Sequence, residues 1–233
     1  NNDWSLNIDL LLDAVHGTGV YSSEGEASGV IFANPNAPTS LALNRIQIQG
    51  LLEKYPKNKV LVLDEAYVDF ASESAVPLLN TYKNLVIVRT FSKSLSFAGM
   101  RLGYLVASKD ITSKILTVKN SFNHFPVDIL AEHAGKKVCS EVAYYIGITK
   151  KITKTREWFR SLLCKKGWSI LASQTNFLLC KKSGLNGKYV YEAIKKEGFL
   201  VRYFDSAGIE KYVRISIGTQ KQMEKLAKFM LEL

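Results

Sequence analysis

Between two short apolar runs, Val86–Val88 and Leu102–Ala107, lies a polar, glycine-containing segment with one lysine, Lys93, and one arginine, Arg101. A lysine amine can lose its proton and attack a carbonyl, which an arginine guanidinium cannot do. Lys93 follows a buried-strand pattern and stands among Thr90, Ser92 and Ser94, so it reads as a Schiff-base lysine and not as an ordinary surface lysine. Two other places put polar chemistry just past an apolar run: Asn34 and Asn36 after Val30–Ala33, and Asp64 and Tyr67 at the end of Val60–Leu63. Open α/β sheets bind ligands outside the carboxyl ends of their strands. A carboxylate, a phenol, hydroxyls, an amine and a guanidinium at one sheet edge compose a cofactor site. Taken singly, Asp64 also fits a helix N-cap and Tyr67 a rim aromatic.

The elements that must position these residues follow from periodicity and turn chemistry. Short runs rich in β-branched residues predict strands at Val30–Ala33, Val60–Leu63, Leu85–Val88 and Leu102–Ala107. Apolar spacing of the helical kind predicts helices at Leu6–Val15, capped by Asp3 or Ser5, and at Leu43–Tyr55, Ser74–Thr81 and Asp110–Asn120. Gly17–Gly29 reads as loop, and the prolines of Asn34–Ser40 force a turn. After a break at Phe125-Pro126 a long helix is expected over Val127–Lys154, interrupted near Gly147 and resumed over Thr155–Lys166. Beyond Trp168 come strands at Ser169–Ala172, Phe177–Cys180, Leu200–Phe204 and Val213–Ile217, with helices at Tyr189–Glu197 and Gln220–Glu232. The first part alternates strand and helix, the signature of an α/β fold with a mainly parallel sheet. The last part is a smaller α+β unit. The expected organisation is a large domain over 1–140 and a small one over 141–233, joined by the long helix.

Composition narrows the class. The chain has 233 residues, 47% of them hydrophobic and 22% charged, as in ordinary globular proteins. No apolar run is long enough to span a bilayer, and the acidic start NNDWSLNIDLLL does not resemble a secretory signal. Cys139, Cys164 and Cys180 are odd in number and contain no CxxC pair, which predicts free thiols, a reducing cytoplasmic setting and no zinc site. His16, His124 and His133 lack metal-ligand spacing. The net charge of +10 concentrates at Lys150–Lys166, where Ile152, Phe159, Leu162 and Leu163 share an apolar stripe. That is a solvated helix face, not a nucleic-acid surface, though it also suits an anionic substrate.

The series NPNAPTS, LDEAY, TFSKSLSFAGMRLGY and VRISIGT resembles the signature of the fold type I, pyridoxal-phosphate-dependent aminotransferases, and within them the class II histidinol-phosphate aminotransferase family. The similarity runs over nearly the whole chain, and the lysine with an arginine eight positions on is its most specific part. The resemblance implies pyridoxal 5'-phosphate as cofactor, an electron sink held by a lysine and by a partner of its pyridine nitrogen. It makes Lys93 the covalent anchor and proton carrier, Asp64 the partner of the ring nitrogen and Tyr67 a donor to the ring oxygen. Thr90, Ser92 and Arg101 would hold the cofactor phosphate. Arg214 would grip a substrate carboxylate or phosphate. Arg202 matches a second phosphate arginine but also reads as an exposed strand residue. Asn176, in QTNF, is expected to shape the small domain.

Two departures from the family pattern stand out. Ala37 holds the place of the asparagine that contacts the ring oxygen, leaving Asn36 to take over, and Ser40 replaces a glycine. The family's N-terminal third, with its phosphate loop, ring-stacking aromatic and a tyrosine lent across a homodimer, has no counterpart, so a fragment or processed form is expected. The implied reaction converts histidinol phosphate and 2-oxoglutarate to imidazole acetol phosphate and glutamate. Alternatives are an aromatic or other amino-acid aminotransferase, a phosphothreonine-type decarboxylase of the same fold, or, from another class, a non-catalytic remnant of the fold or a basic binding module. Partners are thus a small amino donor and a 2-oxo acid, with no nucleic acid and no membrane.

Overall fold

A computed structural model describes residues 4–233. Helix α1 (Ile8–His16) leads to strand β1 (Gly29–Ala33), helix α2 (Arg45–Lys54), strand β2 (Val60–Asp64) and strand β3 (Leu85–Thr90). The cap of α1 is Asn7, whose side chain accepts from the Leu10 amide, and not Ser5, which lies before the helix start; Asp3, the other expected cap, lies outside the described residues. Helix α2 starts at a capping box, Asn44 and Gln47 each satisfying the other's backbone N–H. The expected helix at Ser74–Thr81 is a tighter 3-10 turn at Val76–Asn80, with Pro77 in its first turn.

β1, β2 and β3 pair in parallel, and β4 (Gly103–Ala107) returns antiparallel to β3 at the sheet edge. The mainly parallel sheet read from sequence is present with this one reversal. The reversal arises because the chain from Phe91 to Leu102 makes a closed excursion, its base fixed by the Phe91 amide donating to the Leu102 carbonyl at 3.0 Å. Gly103 makes the return possible: a Cβ there would come within 2.8 Å of the Arg89 carbonyl oxygen.

Strand alternation decides what each residue does. Leu61, Leu63, Leu85 and Ile87 point to one face, where they pack with Leu12, Val15, Ile48, Leu51, Leu52 and Leu78 into the first core. The opposite set, Val62, Asp64, Val86, Val88 and Thr90, faces the other way.

Helices α3 (Lys109–Phe122) and α4 (Ile129–Ser140) follow, then α5 (Val142–Cys164). Asp128 caps α4 by accepting from Leu130 and Ala131. The interruption expected near Gly147 falls instead at Glu141, where the backbone leaves helical geometry, and Gly147 lies inside α5. A single glycine weakens a helix by only about 1 kcal/mol, which tertiary packing overrides. The second sheet is antiparallel, in the order β5 (Trp168–Ile170), β6 (Phe177–Lys182), β8 (Val213–Ser216), β7 (Arg202–Tyr203). Helix α6 (Gly187–Lys196) precedes β7 and helix α7 (Gln220–Met230) follows β8. Leu178, Cys180, Val213 and Ile215 join Phe159 and Leu163 of α5, Ile194 of α6 and Leu226 of α7 in the second core.

The two sheets are joined at Ser173–Asn176. The Gln174 amide donates to the Ser40 carbonyl at 2.8 Å, and its side chain accepts from the Ser72 amide at 2.9 Å. Buried Arg156 of α5 donates to the carbonyls of Thr175 at 2.6 Å and Phe70 at 3.2 Å. The Asn176 carbonyl accepts from the Ile217 amide at 2.9 Å, a backbone bond that ties the start of β6 to the end of β8.

Ser40 bears a visible cost at this junction. It is fully buried, sits in the left-handed region at φ 67°, and its hydroxyl has no partner among the described residues. A left-handed non-glycine residue costs about 1–2 kcal/mol, and an unsatisfied buried hydroxyl about 1–3 kcal/mol. Glycine's greater freedom in the unfolded chain offsets about 0.4–1 kcal/mol of this. Ser40→Gly should therefore stabilise the protein by about 1–4 kcal/mol in urea denaturation, with the slope unchanged.

Candidate active site

The carboxyl ends of β1, β2 and β3 converge. The Asn34 amide donates to the Asp64 carbonyl at 2.9 Å, and the Glu65 amide to the Val88 carbonyl at 2.8 Å. Asp64 and Glu65 are consecutive in a strand-like segment and so point to opposite faces. The same holds for Arg89 and Thr90. Asp64 and Thr90 thus share the site face, while Glu65 and Arg89 meet behind it.

That rear pairing is an ion pair. Arg89 donates to Glu65 Oε2 through Nε at 3.1 Å and Nη2 at 2.8 Å. Glu65 also accepts from the Ala75 amide at 2.7 Å and from the Ser74 hydroxyl, which in turn accepts from Arg89 Nη2 at 2.8 Å. The Glu65 side chain is 1% exposed and that of Arg89 21%. Burial works against the arginine's charge, but the bond to Glu65 and its charge outweigh it and raise the Arg89 pKa.

On the site face, the Asp64 carboxylate accepts from the Ala66 amide through Oδ1 at 2.9 Å. Tyr67 follows, and the Lys93 ammonium sits 5.0 Å from the centre of its ring. Lys93 is exposed, contrary to its reading as other than a surface lysine, because it rides on the loop that leaves β3 and not within the strand. Its neighbour Ser94 is buried, and the Ser94 hydroxyl donates a short hydrogen bond to the Asp69 carboxylate, holding the lysine loop to the turn that carries Tyr67. Thr90 Oγ1 accepts from the Ser92 amide at 3.0 Å. Arg101, in the left-handed region at φ 52°, donates to the Ala98 carbonyl at 3.0 Å. No hydrogen bond or ion pair joins it to Lys93, Asp64 or Tyr67 among the described residues. Phe91 and Leu102, which close the loop, nevertheless bring its two ends together beside Ser92 and Arg101.

Asn36 lines a cavity of about 520 Å³ with Trp4, Phe32, Asn34, Thr39 and Leu41. Its Oδ1 accepts from the Thr39 hydroxyl at 2.9 Å, which leaves the amide NH2 as its free donor. Asn34 is occupied by both hydrogen bonds to the Leu43 backbone.

The second sheet contributes its own face. Phe177, Leu179 and Arg214 alternate away from the second core, with Leu179 directly opposite Arg214 and Arg202 opposite Arg214 on the other side. The Phe177 ring meets Tyr67 edge-on at 5.3 Å. The Arg214 guanidinium lies 4.9 Å from the centre of Phe177 and 5.7 Å from that of Phe204, and Arg202 lies 5.6 Å from Phe204. Lys93, Tyr67, Phe177, Arg214, Phe204 and Arg202 therefore form one continuous run across both sheets. Motif reading missed two members of this run, Phe177 and Phe204, and the pair behind the site, Glu65 and Arg89. A signal was present for the ion pair, since an arginine inside the buried pattern VIVRT needs a partner.

Comparison with known proteins agrees with this architecture. The family model for aminotransferase class I and II matches residues 1–230. The chain belongs to the class I and II aminotransferases. It is 40% identical over 225 residues to histidinol-phosphate aminotransferase of Syntrophus aciditrophicus (strain SB), covering 96% of this chain and 60% of the relative. It is 43% identical over 223 residues to histidinol-phosphate aminotransferase 1 of Oceanobacillus iheyensis, covering 96% and 61%. The chain thus spans about 60% of the length of these relatives. Among solved structures, histidinol-phosphate aminotransferase from Sinorhizobium meliloti in complex with pyridoxal-5'-phosphate matches with a TM-score of 0.80 and 26% identity, covering 97% of this chain and 60% of that one.

Fold type I, read from the motifs, is thereby shown. The donor set also fits a pyridoxal phosphate: a carboxylate, a phenol, an amide NH2, an amine, two hydroxyls and a guanidinium lie at one sheet edge. The Tyr67 hydroxyl and the Lys93 ammonium make no hydrogen bond among the described residues. These groups stay in register only if the strand ends do. Arg89→Met leaves Glu65 buried and unpaired and should cost about 3–5 kcal/mol in urea denaturation. The double variant Glu65→Leu with Arg89→Met should recover much of that loss, showing strong coupling between the two positions.

Proposed function

We propose that the protein is a pyridoxal-phosphate-dependent aminotransferase that moves the amino group of histidinol phosphate to 2-oxoglutarate, yielding imidazole acetol phosphate and glutamate. One observation carries this reading: the run that begins at an amine, Lys93, and ends at two guanidiniums, Arg214 and Arg202, all set against aromatic rings and none ion-paired with an acid among the described residues. A substrate with a reacting amine at one end and an anionic group at the other matches it. The names of the relatives at 40% and 43% identity support the same substrate.

When bound, the cofactor supplies an electron sink for bond breaking at the substrate Cα. The chain's residues divide the remaining work. Lys93 anchors the cofactor and, once free, carries the proton removed from the substrate Cα. Asp64 accepts the hydrogen bond of the pyridine nitrogen and keeps that nitrogen protonated, as the charged form of a buried base needs an anionic partner. Tyr67 and the Asn36 amide donate to the ring oxygen. Thr90, Ser92 and Arg101 hold the phosphate through hydroxyl and guanidinium donors. Arg214 grips the phosphate of the amino donor in one half-reaction and a carboxylate of 2-oxoglutarate in the other, and Arg202 assists with the phosphate.

The domain assignment belongs to the same proposal, with residues 1–140 as the cofactor-holding unit and residues 141–233 as the unit that brings the arginines. So does a cytoplasmic homodimer. Val118, Phe122, Phe125, Ile129 and Leu130 are 68–93% exposed, an apolar surface that suits cover by another chain. No helix among the described residues is long and apolar enough to cross a membrane.

The test is a steady-state assay of glutamate formed from histidinol phosphate and 2-oxoglutarate. Wild type should turn over, and Asp64→Asn should lose at least about a hundredfold in kcat while still binding cofactor, since a neutral amide cannot hold the ring nitrogen's charge. Carbon dioxide release from phosphothreonine with no glutamate formed would replace this reading with a decarboxylase. Near-normal turnover by Asp64→Asn would remove that residue from its role.

A further inference from the structure

Arg202 and Arg214 are directly paired across β7 and β8, in register. Like charges directly opposite on one sheet face repel and are ordinarily relieved by a carboxylate between them. Here no acid lies within 4 Å of either guanidinium among the described residues, although Asp205 and Glu210 are close in sequence. Instead both lie against the ring of Phe204, the Arg202 guanidinium 5.6 Å and the Arg214 guanidinium 5.7 Å from its centre. Phe204 is two residues past Arg202 and so returns to the same face. It is itself held by packing against Leu179, Ile209 and Tyr212.

We propose that Phe204 is a specificity-determining residue, a shared aromatic ring that engages the guanidiniums of two directly paired arginines and makes this surface select a doubly charged phosphate over a singly charged carboxylate. The inference rests on the function proposed above and deepens it. An aromatic face attracts a cation through its quadrupole without consuming the cation's N–H donors. A carboxylate in the same place would occupy the planar fork of each arginine. With Phe204 there, both forks remain available to one ligand. A monoanion satisfies one fork and leaves the second arginine's charge uncompensated; a phosphate dianion can meet both. Phe177 supports Arg214 alone, at 4.9 Å, so Phe204 is the residue common to the two.

The test titrates inorganic phosphate, and separately acetate, into the protein loaded with pyridoxal phosphate, so that the cofactor's own phosphate site is filled. Phe204→Leu keeps apolar bulk and removes the ring; Phe204→Tyr keeps the ring. Phe204→Leu should weaken phosphate binding about tenfold, the scale of a partly desolvated cation–π contact, while acetate changes less than about twofold. Phe204→Tyr should match wild type, and Arg202→Gln should reproduce the selective phosphate loss. Equal weakening of both anions, or no weakening of either, overturns the assignment. In turnover, Phe204→Leu should raise KM for the phosphorylated donor with little change in kcat. Selective phosphate loss in a protein that transfers no amino group would overturn the activity and leave Phe204's role standing. Amino transfer without that selectivity would do the reverse.

Discussion

The Glu65–Arg89 ion pair lies behind the site, yet the site's geometry depends on it. Because side chains alternate along a strand, two residues at each strand end are committed to opposite faces. Pairing Glu65 with Arg89 on the rear face fixes the relative register of the ends of β2 and β3. Asp64 and Thr90, their immediate neighbours, are then held on the front face without any direct bond between them. A buried pair of this kind contributes little net stability over an apolar pair, but breaking it is expensive. It specifies register more than it stabilises.

A second constraint aligns the two sheets. Buried Arg156 bonds carbonyls on both sides of the junction, and Gln174 does the same through its backbone and its side chain. Local polar contacts across the junction therefore set how the antiparallel sheet faces the parallel one. The consequence is the aromatic and cationic run from Lys93 to Arg202. Its aromatic members, Tyr67, Phe177 and Phe204, separate three cations at short range, replacing the acids that would otherwise be needed.

Much of this was legible in the sequence. The parallel strands announced themselves as β-branched runs, and the polar residues just past each run marked the sheet edge to which Asn36, Asp64, Tyr67 and Lys93 belong. The antiparallel turn of β4 was not legible, because an apolar run carries no direction; it follows from the closed loop between Phe91 and Leu102. The helix interruption was misplaced because glycine propensity at Gly147 is a weak local signal, easily overridden by packing. Lys93 proved exposed, since proximity to a buried strand in sequence does not bury a loop residue. Phe177 and Phe204 escaped notice for a different reason. An aromatic residue in a strand looks like core until the opposite face is known, and only the pairing of β6, β7 and β8 reveals which face each residue takes.

Whether Lys93 is the covalent anchor of the proposed chemistry is open to direct chemical trapping. Pyridoxal phosphate is added to the protein, the mixture is reduced with borohydride, and the modified peptide is located by mass spectrometry. A single stable adduct on Lys93, lost in Lys93→Ala, is the expected result. No adduct, or an adduct on any other lysine, would contradict it.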